Sequence, residues 1–313
     1  MAGRVNERSE RESSGRSFAF RSPRSRPATC EVWGILNVTP DSFSDGGLHF
    51  REDAAVARAL AMLDEGADVI DVGGASSRPR GRTYGEGAAP VGVDEEIRRV
   101  VPVIETLLSR APQAVVSIDT TSAEVADAAL SAGARIVNDV SMGRSEALLD
   151  VCARHGVELV LMHTRSDGRI DETTTGYDDL VGDVLRELEV ALVRARERGV
   201  SRLWIDPGLG FAKTASQSMK LLRSTSTLAD AGVPVLIGAS RKSFLAQHAK
   251  DALGRAPHAD VRLGASVAAV AIAAIGGARA VRVHDVRESR QALQILDRAT
   301  SSSPAPIAPE VRT

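Results

Sequence analysis

The 313-residue sequence predicts a single (β/α)8 barrel of the TIM type. Eight short apolar runs alternate with longer segments of helical period, the pattern of consecutive βαβ units. Those runs are apolar throughout rather than alternating, so each strand is buried on both faces, as in a parallel sheet covered by helices. Nearly every run then ends on a polar or charged residue, on the rim where barrels of this kind gather their functional groups. The competing architecture is an open doubly wound sheet, which normally binds a nucleotide through a glycine-rich first turn. No GxGxxG follows any run here.

In chain order the predicted strands are Val32–Val38, Val69–Val72, Val115–Ile118, Ile136–Val140, Leu159–Met162, Leu203–Ile205, Val235–Ile237 and Ala280–Val283. Helices are predicted over 53–65, 94–109, 122–132, 145–155, 178–198, 216–230, 260–276 and 286–298. Ser122 before Ala123 and Glu124 marks a helix start, and Gly66, Gly133, Gly199 and Gly232 follow helix ends. The barrel is assigned to residues 29–299. Residues 1–28 are rich in Arg and Ser, hold few aliphatic residues and are expected to be a disordered arm; the tail 300–313 reads the same way. Glu7, Glu10 and Glu12 in the arm argue against an organellar transit peptide.

Composition narrows the function. Hydrophobic residues make up 43% and charged residues 26%, the ordinary range for a globular protein with a large core. A net charge of -2 gives no electrostatic reason to expect nucleic acid or an anionic membrane as partner. Cys30 and Cys152 are far apart and form no CxxC, which indicates neither a disulfide framework nor a zinc site. No apolar run reaches bilayer-spanning length. A cytoplasmic enzyme acting on small molecules is the expectation.

The rim offers two chemical sets. Asp119, Asn138 and Asp206 suit a planar heterocycle, because a carboxylate accepts two parallel hydrogen bonds from an amidine-like edge. Arg78, Arg241, Lys242, Arg282 and His284 suit phosphate oxygens or a carboxylate. Ser240-Arg241-Lys242-Ser243 opens an apolar helical stretch, so its backbone N–H groups are expected to face a bound anion. Two long loops, Thr39 to Gly47 and Gly73 to Pro90, read as lids or binding segments.

The segment Gly34-Ile35-Leu36-Asn37-Val38-Thr39-Pro40-Asp41-Ser42-Phe43-Ser44-Asp45-Gly46-Gly47 resembles the first signature of the dihydropteroate synthases. Asp71 to Pro79, Ser117 to Thr120, Asn138-Asp139, Leu161 to His163, Asp206 to Phe211, Ser240 to Ser243 and Arg282 to Val286 continue the resemblance in order along the chain. It implies a reaction of folate biosynthesis. Para-aminobenzoate displaces pyrophosphate from 6-hydroxymethyl-7,8-dihydropterin pyrophosphate to give 7,8-dihydropteroate.

Carried onto this sequence, the resemblance implies that Asp119, Asn138, Met162, Asp206, Phe211, Gly238, Lys242 and Arg282 bind the pterin. Asn37, Arg282 and His284 would take the pyrophosphate, with Asn37 also contacting Mg2+. Phe43, Pro79, Lys242 and Ser243 would hold para-aminobenzoate. Asp45 on the first loop, with Ser77 and Arg78 on the second, would close over the reaction. The catalytic set implied is Asn37, Asp45, Ser77, Arg78, Lys242, Arg282 and His284. The resemblance also implies a homodimer formed through the later helices.

This chain departs from the family pattern in having Ala75 where a glutamate is usual, Ala212 where a glycine is usual, and a second loop lengthened over Gly81 to Ala89. Ala75 admits an alternative, a pterin-binding paralogue with weak or no synthase activity. A related pterin-dependent methyltransferase barrel would need no pyrophosphate site, which Asn37, Arg282 and His284 argue against.

Overall fold

The computed structural model describes residues 30–38, 48–75, 91–166, 173–252 and 254–300, with only the backbone of 48–51. The arm over 1–28 and the tail beyond Thr300 lie outside the described residues. Eight parallel strands follow one another as the sequence predicts: β1 (Glu31–Asn37), β2 (Val69–Gly73), β3 (Val116–Asp119), β4 (Ile136–Asp139), β5 (Glu158–Met162), β6 (Arg202–Asp206), β7 (Leu236–Ile237) and β8 (Ala280–Val283). They pair in the order β6-β5-β4-β3-β2-β1-β8-β7. A single bridge between Ile205 and Val235 brings β6 to β7 and completes the circuit.

The helices are α1 (Leu48–Asp64), α2 (Val93–Arg110), α3 (Ala123–Ser131), α4 (Glu146–His155), α5 (Leu180–Glu197), α6 (Ala215–Arg223), α7 (Thr225–Ala229), α8 (Ser243–His248), α9 (Leu263–Ile275) and α10 (Val286–Thr300). Their ends follow local chemistry. Ser122 and Ser145 accept hydrogen bonds from the amides of Val125 and Leu148, and Thr214 with Gln217 forms a reciprocal cap. Gly66, Gly133, Gly199 and Gly232 all take positive φ just past helix ends.

Two helical segments differ from expectation. The helix predicted over 216–230 is split at Ser224, where α6 ends and α7 begins. Ser224-Thr225-Ser226-Thr227 supplies hydroxyls that compete for backbone acceptors, and the Thr225 hydroxyl donates to the Leu222 carbonyl at 2.7 Å. The helix predicted over 260–276 begins as a 3-10 turn, Ala259–Val261, and turns α-helical only from Leu263.

The barrel interior is layered. Trp33 on β1 and Trp204 on β6 lie on non-adjacent strands, yet their rings are 5.3 Å apart, so both point into the lumen. Val69, Ile136, Val160, Leu236 and Ala280 complete this plug. Truncating a fully buried tryptophan such as Trp33 typically costs about 3–5 kcal/mol. The remaining core lies between strands and helices.

Side chains alternate along a strand, so residues two positions beyond the plug also face the lumen, one layer nearer the C-terminal mouth. Those residues are Ile35, Asp71, Ser117, Asn138, Met162, Asp206, Gly238 and Arg282. One layer further come Asn37, Gly73 and Asp119. A Cβ built on Gly73 would lie 3.6 Å from the Asp119 Cβ and 3.8 Å from the Asn37 Oδ1, which places these three strand ends side by side. Thus the tryptophan plug serves as the floor of a polar cup.

Candidate active site

The cup is organised around Arg282. Its guanidinium Nε donates to Asp71 Oδ2 at 2.5 Å and its Nη2 to Asp119 Oδ2 at 2.6 Å. Asn138 Nδ2 donates to the same Asp71 oxygen at 3.2 Å, which leaves the Asn138 carbonyl oxygen available to a ligand. Among the described residues, Asp71 Oδ1 is buried without a hydrogen-bond partner. Burial works against the Arg282 charge, but Asp71 and Asp119 outweigh it and hold the guanidinium firmly protonated. Burial raises Asp119 to about 7, against the pull of Arg282 and with the repulsion of Asp71. One cation shared between two buried carboxylates leaves excess negative charge at this end of the cup.

At the opposite side, Asp206 and Lys242 face one space. A Cβ on Gly238 would lie 3.7 Å from Asp206 Oδ2, 3.7 Å from Lys242 Nζ and 4.0 Å from the Arg282 Cβ. Glycine at 238 therefore keeps open the room between three of the residues assigned to the pterin. Lys242 Nζ donates to the Leu209 carbonyl at 2.7 Å and stands 4.9 Å from the centre of the Phe211 ring. Burial raises Asp206, opposed by Lys242 and by the Gly208 amide that donates to its Oδ1 at 2.7 Å. Burial also lowers Lys242, to about 8, although Asp206 pulls the other way.

His284 borders the cup beside Arg282. Ser240 Oγ accepts from the His284 amide at 3.2 Å and lies 3.1 Å from His284 Nδ1. The hydroxyl can donate to Nδ1 or accept from it, so this contact holds the ring in place whichever nitrogen carries the proton. Burial, then Arg282, lowers His284 to about 4.

The turn after β6 shapes the pocket wall. Gly208 has φ +67°, and a Cβ there would lie 2.0 Å from the His163 carbonyl oxygen. Gly208→Ala is expected to cost at least about 3 kcal/mol, from left-handed strain plus overpacking, and to weaken ligand binding with it. A urea titration that left the midpoint unchanged would refute this. Ala212, the departure noted above, also sits in the left-handed region, at φ 49°, where glycine would be less strained.

The structure corrects two sequence-based expectations. Arg241 is not turned to the cup: its guanidinium pairs with Asp285, and its φ of 57° redirects the chain just before Lys242. The amides of Arg241 and Lys242 are occupied by Ser266 Oγ at 2.9 Å and the Ala239 carbonyl at 3.3 Å, so the tetrapeptide contributes the Lys242 side chain rather than a row of free N–H groups. Asp139 is buried and holds the following turn through Ser141 and Gly143. Ser243 begins the short helix α8. Met162, paired in register with Asp206, is buried at the same level of the cup wall. Phe43, Asp45, Ser77, Arg78 and Pro79 lie outside the described residues.

Two residues of the cup and its support escaped the sequence reading. Asp71 was passed over inside the apolar run Val69 to Val72, although an acid in such a run is itself a signal. Lys213 follows the Phe211 motif but is fully buried, which nothing in its local sequence suggests.

Together the fold and the cup define a (β/α)8 barrel with a polar, charge-paired pocket at its C-terminal mouth. The family described as "Pterin binding enzyme" matches residues 33–284, and this chain belongs to it. Within that family its relatives are dihydropteroate synthases. The Mycobacterium leprae dihydropteroate synthase is 45% identical over 86% of this chain and 93% of its own length. A Xanthomonas albilineans dihydropteroate synthase solved with 4-aminobenzoic acid superposes with a TM-score of 0.78, at 42% identity, over 88% of this chain and 94% of that one. The Xanthomonas albilineans enzyme in complex with 7,8-dihydropteroate gives 0.76 at 40% identity, over 88% and 95% of the two chains.

Proposed function

We propose that the chain condenses 6-hydroxymethyl-7,8-dihydropterin pyrophosphate with para-aminobenzoate to yield 7,8-dihydropteroate and pyrophosphate. The observation that carries this reading is the space at Gly238, onto which Asp206, Lys242 and Arg282 converge. The pterin 2-amino group and ring N3 form a two-donor edge that a carboxylate at Asp206 accepts in parallel. Lys242 supplies a donor for the ring carbonyl side, and the carbonyl of Asn138 and the carboxyl of Asp119 complete the edge recognition. Arg282 lies where its planar guanidinium can cover the ring face.

The pyrophosphate falls to the open end of the cup. Arg282 and the His284 ring would be the donors there, with the exposed Asn37 amide at the end of β1, the strand that pairs with β8. Among the described residues no cluster of three His, Cys, Asp or Glu side chains could cage a metal. That donor set fits Mg2+, which binds through few protein ligands and mainly through phosphate oxygens and water, with Asn37 as the protein ligand. When bound, the ion would neutralise charge growing on the departing pyrophosphate.

Para-aminobenzoate would attack as the neutral amine, which is nucleophilic without a strong base. Lys242 and Ser243 at the start of α8 would hold its carboxylate. Phe43 and Pro79 would flank it, and Asp45, Ser77 and Arg78 would close the loops above. A second copy of the chain is proposed to dock on the later helices, where Val261, Ile272 and Ile275 are 66%, 39% and 55% exposed. No helix among the described residues is long and apolar enough to cross a membrane.

Because Lys242 carries its proton only below about pH 8, kcat/KM for the pterin substrate is expected to fall above that pH. A profile flat to about pH 10 would contradict the role given to Lys242. The function itself is tested by supplying the full chain with both substrates and Mg2+. Dihydropteroate and pyrophosphate should form in equal amounts, and no product at any substrate concentration would overturn the proposal.

A further inference from the structure

A line of hydrogen bonds between the end of β5 and helix α5, outside the barrel wall, has no part in the chemistry above. Lys213 Nζ donates to the Phe211 carbonyl at 2.8 Å, reaches the His163 carbonyl at 3.4 Å and lies 2.9 Å from His163 Nδ1. His163 Nε2 in turn is 3.0 Å from Glu187 Oε2, and Arg165 Nε grips Glu187 at 2.9 and 3.2 Å. Glu187 is a carboxylate and can only accept, so the His163 ring proton sits on Nε2 and Nδ1 is left to accept from Lys213. Burying an ammonium costs several kcal/mol unless something is gained by it. No carboxylate lies within ion-pair distance of Lys213 among the described residues, so a salt bridge is not that gain.

What Lys213 holds is the turn that forms the pocket wall. His163 follows β5 and Phe211 closes the Gly208 turn after β6, so one ammonium fixes carbonyls just past the ends of two neighbouring strands. A Cβ on Gly208 would lie 3.4 Å from Lys213 Nζ, which places the ammonium directly under that turn. The same turn presents the Leu209 carbonyl to Lys242 and carries the Phe211 ring. Lys213 also lies close enough to Asp206 to favour its carboxylate form electrostatically, together with Lys242, Arg282 and the Gly208 amide.

We infer that Lys213 is a positioning residue for pterin recognition: from beneath the Gly208–Phe211 turn it fixes the pocket wall and supplies positive charge behind Asp206, while His163 and Glu187 hold it in place. The inference rests on the functional reading above. Burial lowers Lys213 to about 7, in a field set by Asp206, Lys242, Glu187 and Arg165, so its charge is sensitive to the solvent conditions in which the enzyme is assayed.

The test compares Lys213→Met, which lacks donor and charge, with Lys213→Gln, which keeps a donor. Lys213→Met should raise KM for the pterin pyrophosphate about tenfold or more, with a change in the para-aminobenzoate KM of less than about threefold. Its acid limb in kcat/KM should move to higher pH, because Asp206 loses a neighbouring cation. Lys213→Gln should recover part of the KM but not the acid limb. A folded Lys213→Met with wild-type pterin KM and an unmoved acid limb overturns the inference. If that variant does not fold, nitrogen chemical shifts of His163 in the wild-type protein decide: the neutral Nε2–H form across about pH 6–8 is expected, and an imidazolium or an Nδ1–H tautomer overturns it. Wild-type turnover is measured alongside. Its absence sinks the functional reading, whereas normal wild-type turnover with an unaffected Lys213→Met sinks only this inference.

Discussion

Arg282→Met is expected to cost about 3–5 kcal/mol of stability and to lower kcat/KM by about a thousandfold or more. The guanidinium is the shared counter-charge of Asp71 and Asp119, which are 0% and 6% exposed, so its removal leaves two buried carboxylates facing each other. The same side chain is assigned to the pterin face and to the leaving pyrophosphate, so stability and catalysis fall together. The loss should depend on pH with a definite sign. Asp119 has its carboxyl raised from 3.8 to about 7 in the fold, so its contribution to stability is fully present below its unfolded value and lost as pH rises through about 7. Without Arg282 the carboxyl of Asp119 rises further, so the penalty of the substitution should be smaller near pH 5, where only the Asp71 pairing is lost, and grow toward about pH 8. Urea titrations of both proteins at several pH values test this, and a penalty independent of pH would count against the shared counter-charge.

The second large effect falls on Asp206. Asp206→Asn replaces a carboxylate that accepts two hydrogen bonds by an amide that presents one donor to a two-donor edge. Each hydrogen bond to a charged group contributes about 1.5–3 kcal/mol, so the pterin KM or Kd should rise about 10^2–10^4-fold. Lys242→Ala should weaken pterin binding as well. The two substitutions should not be additive, because the side chains face one space and couple electrostatically. A double-mutant cycle on pterin binding measures that coupling; strict additivity would separate the two residues. The amidine-edge reading itself would fail if Asp206→Asn bound the pterin as tightly as wild type.

Much of the barrel was legible because its strands are buried on both faces and read as uninterrupted apolar runs. Even β7, only two residues long, was visible as Val235–Ile237, since its length in the sequence reflects burial rather than ladder hydrogen bonds. The helix breaks were not legible. The Ser and Thr hydroxyls around residue 224 turn the chain through local hydrogen bonds that leave hydrophobic periodicity intact.

The site was legible where function sits at a strand end. Asn37, Asp119, Asn138, Asp206, Lys242, Arg282 and His284 gather toward one mouth because each lies in the C-terminal half of a strand or just after it, and parallel strands share that end. Arg241 misled for the opposite reason. Its position beside Lys242 is equivalent in sequence, but a positive φ rotates it to Asp285. Asp71 and Lys213 were missed because their roles depend on partners far away in sequence: Arg282 is 211 residues from Asp71, and His163 is 50 from Lys213. A local motif cannot reveal a pairing of that kind.

The claim on which the account turns is that the pterin lies on the plug layer between Asp206, Lys242 and the Arg282 triad. The most direct measurement is a crystal structure of the chain with a bound dihydropterin ligand. The account predicts the 2-amino group and N3 on the Asp206 carboxylate, Lys242 on the carbonyl side and Arg282 over the ring. A pterin seated elsewhere, or turned so that its amidine edge leaves Asp206, would contradict it.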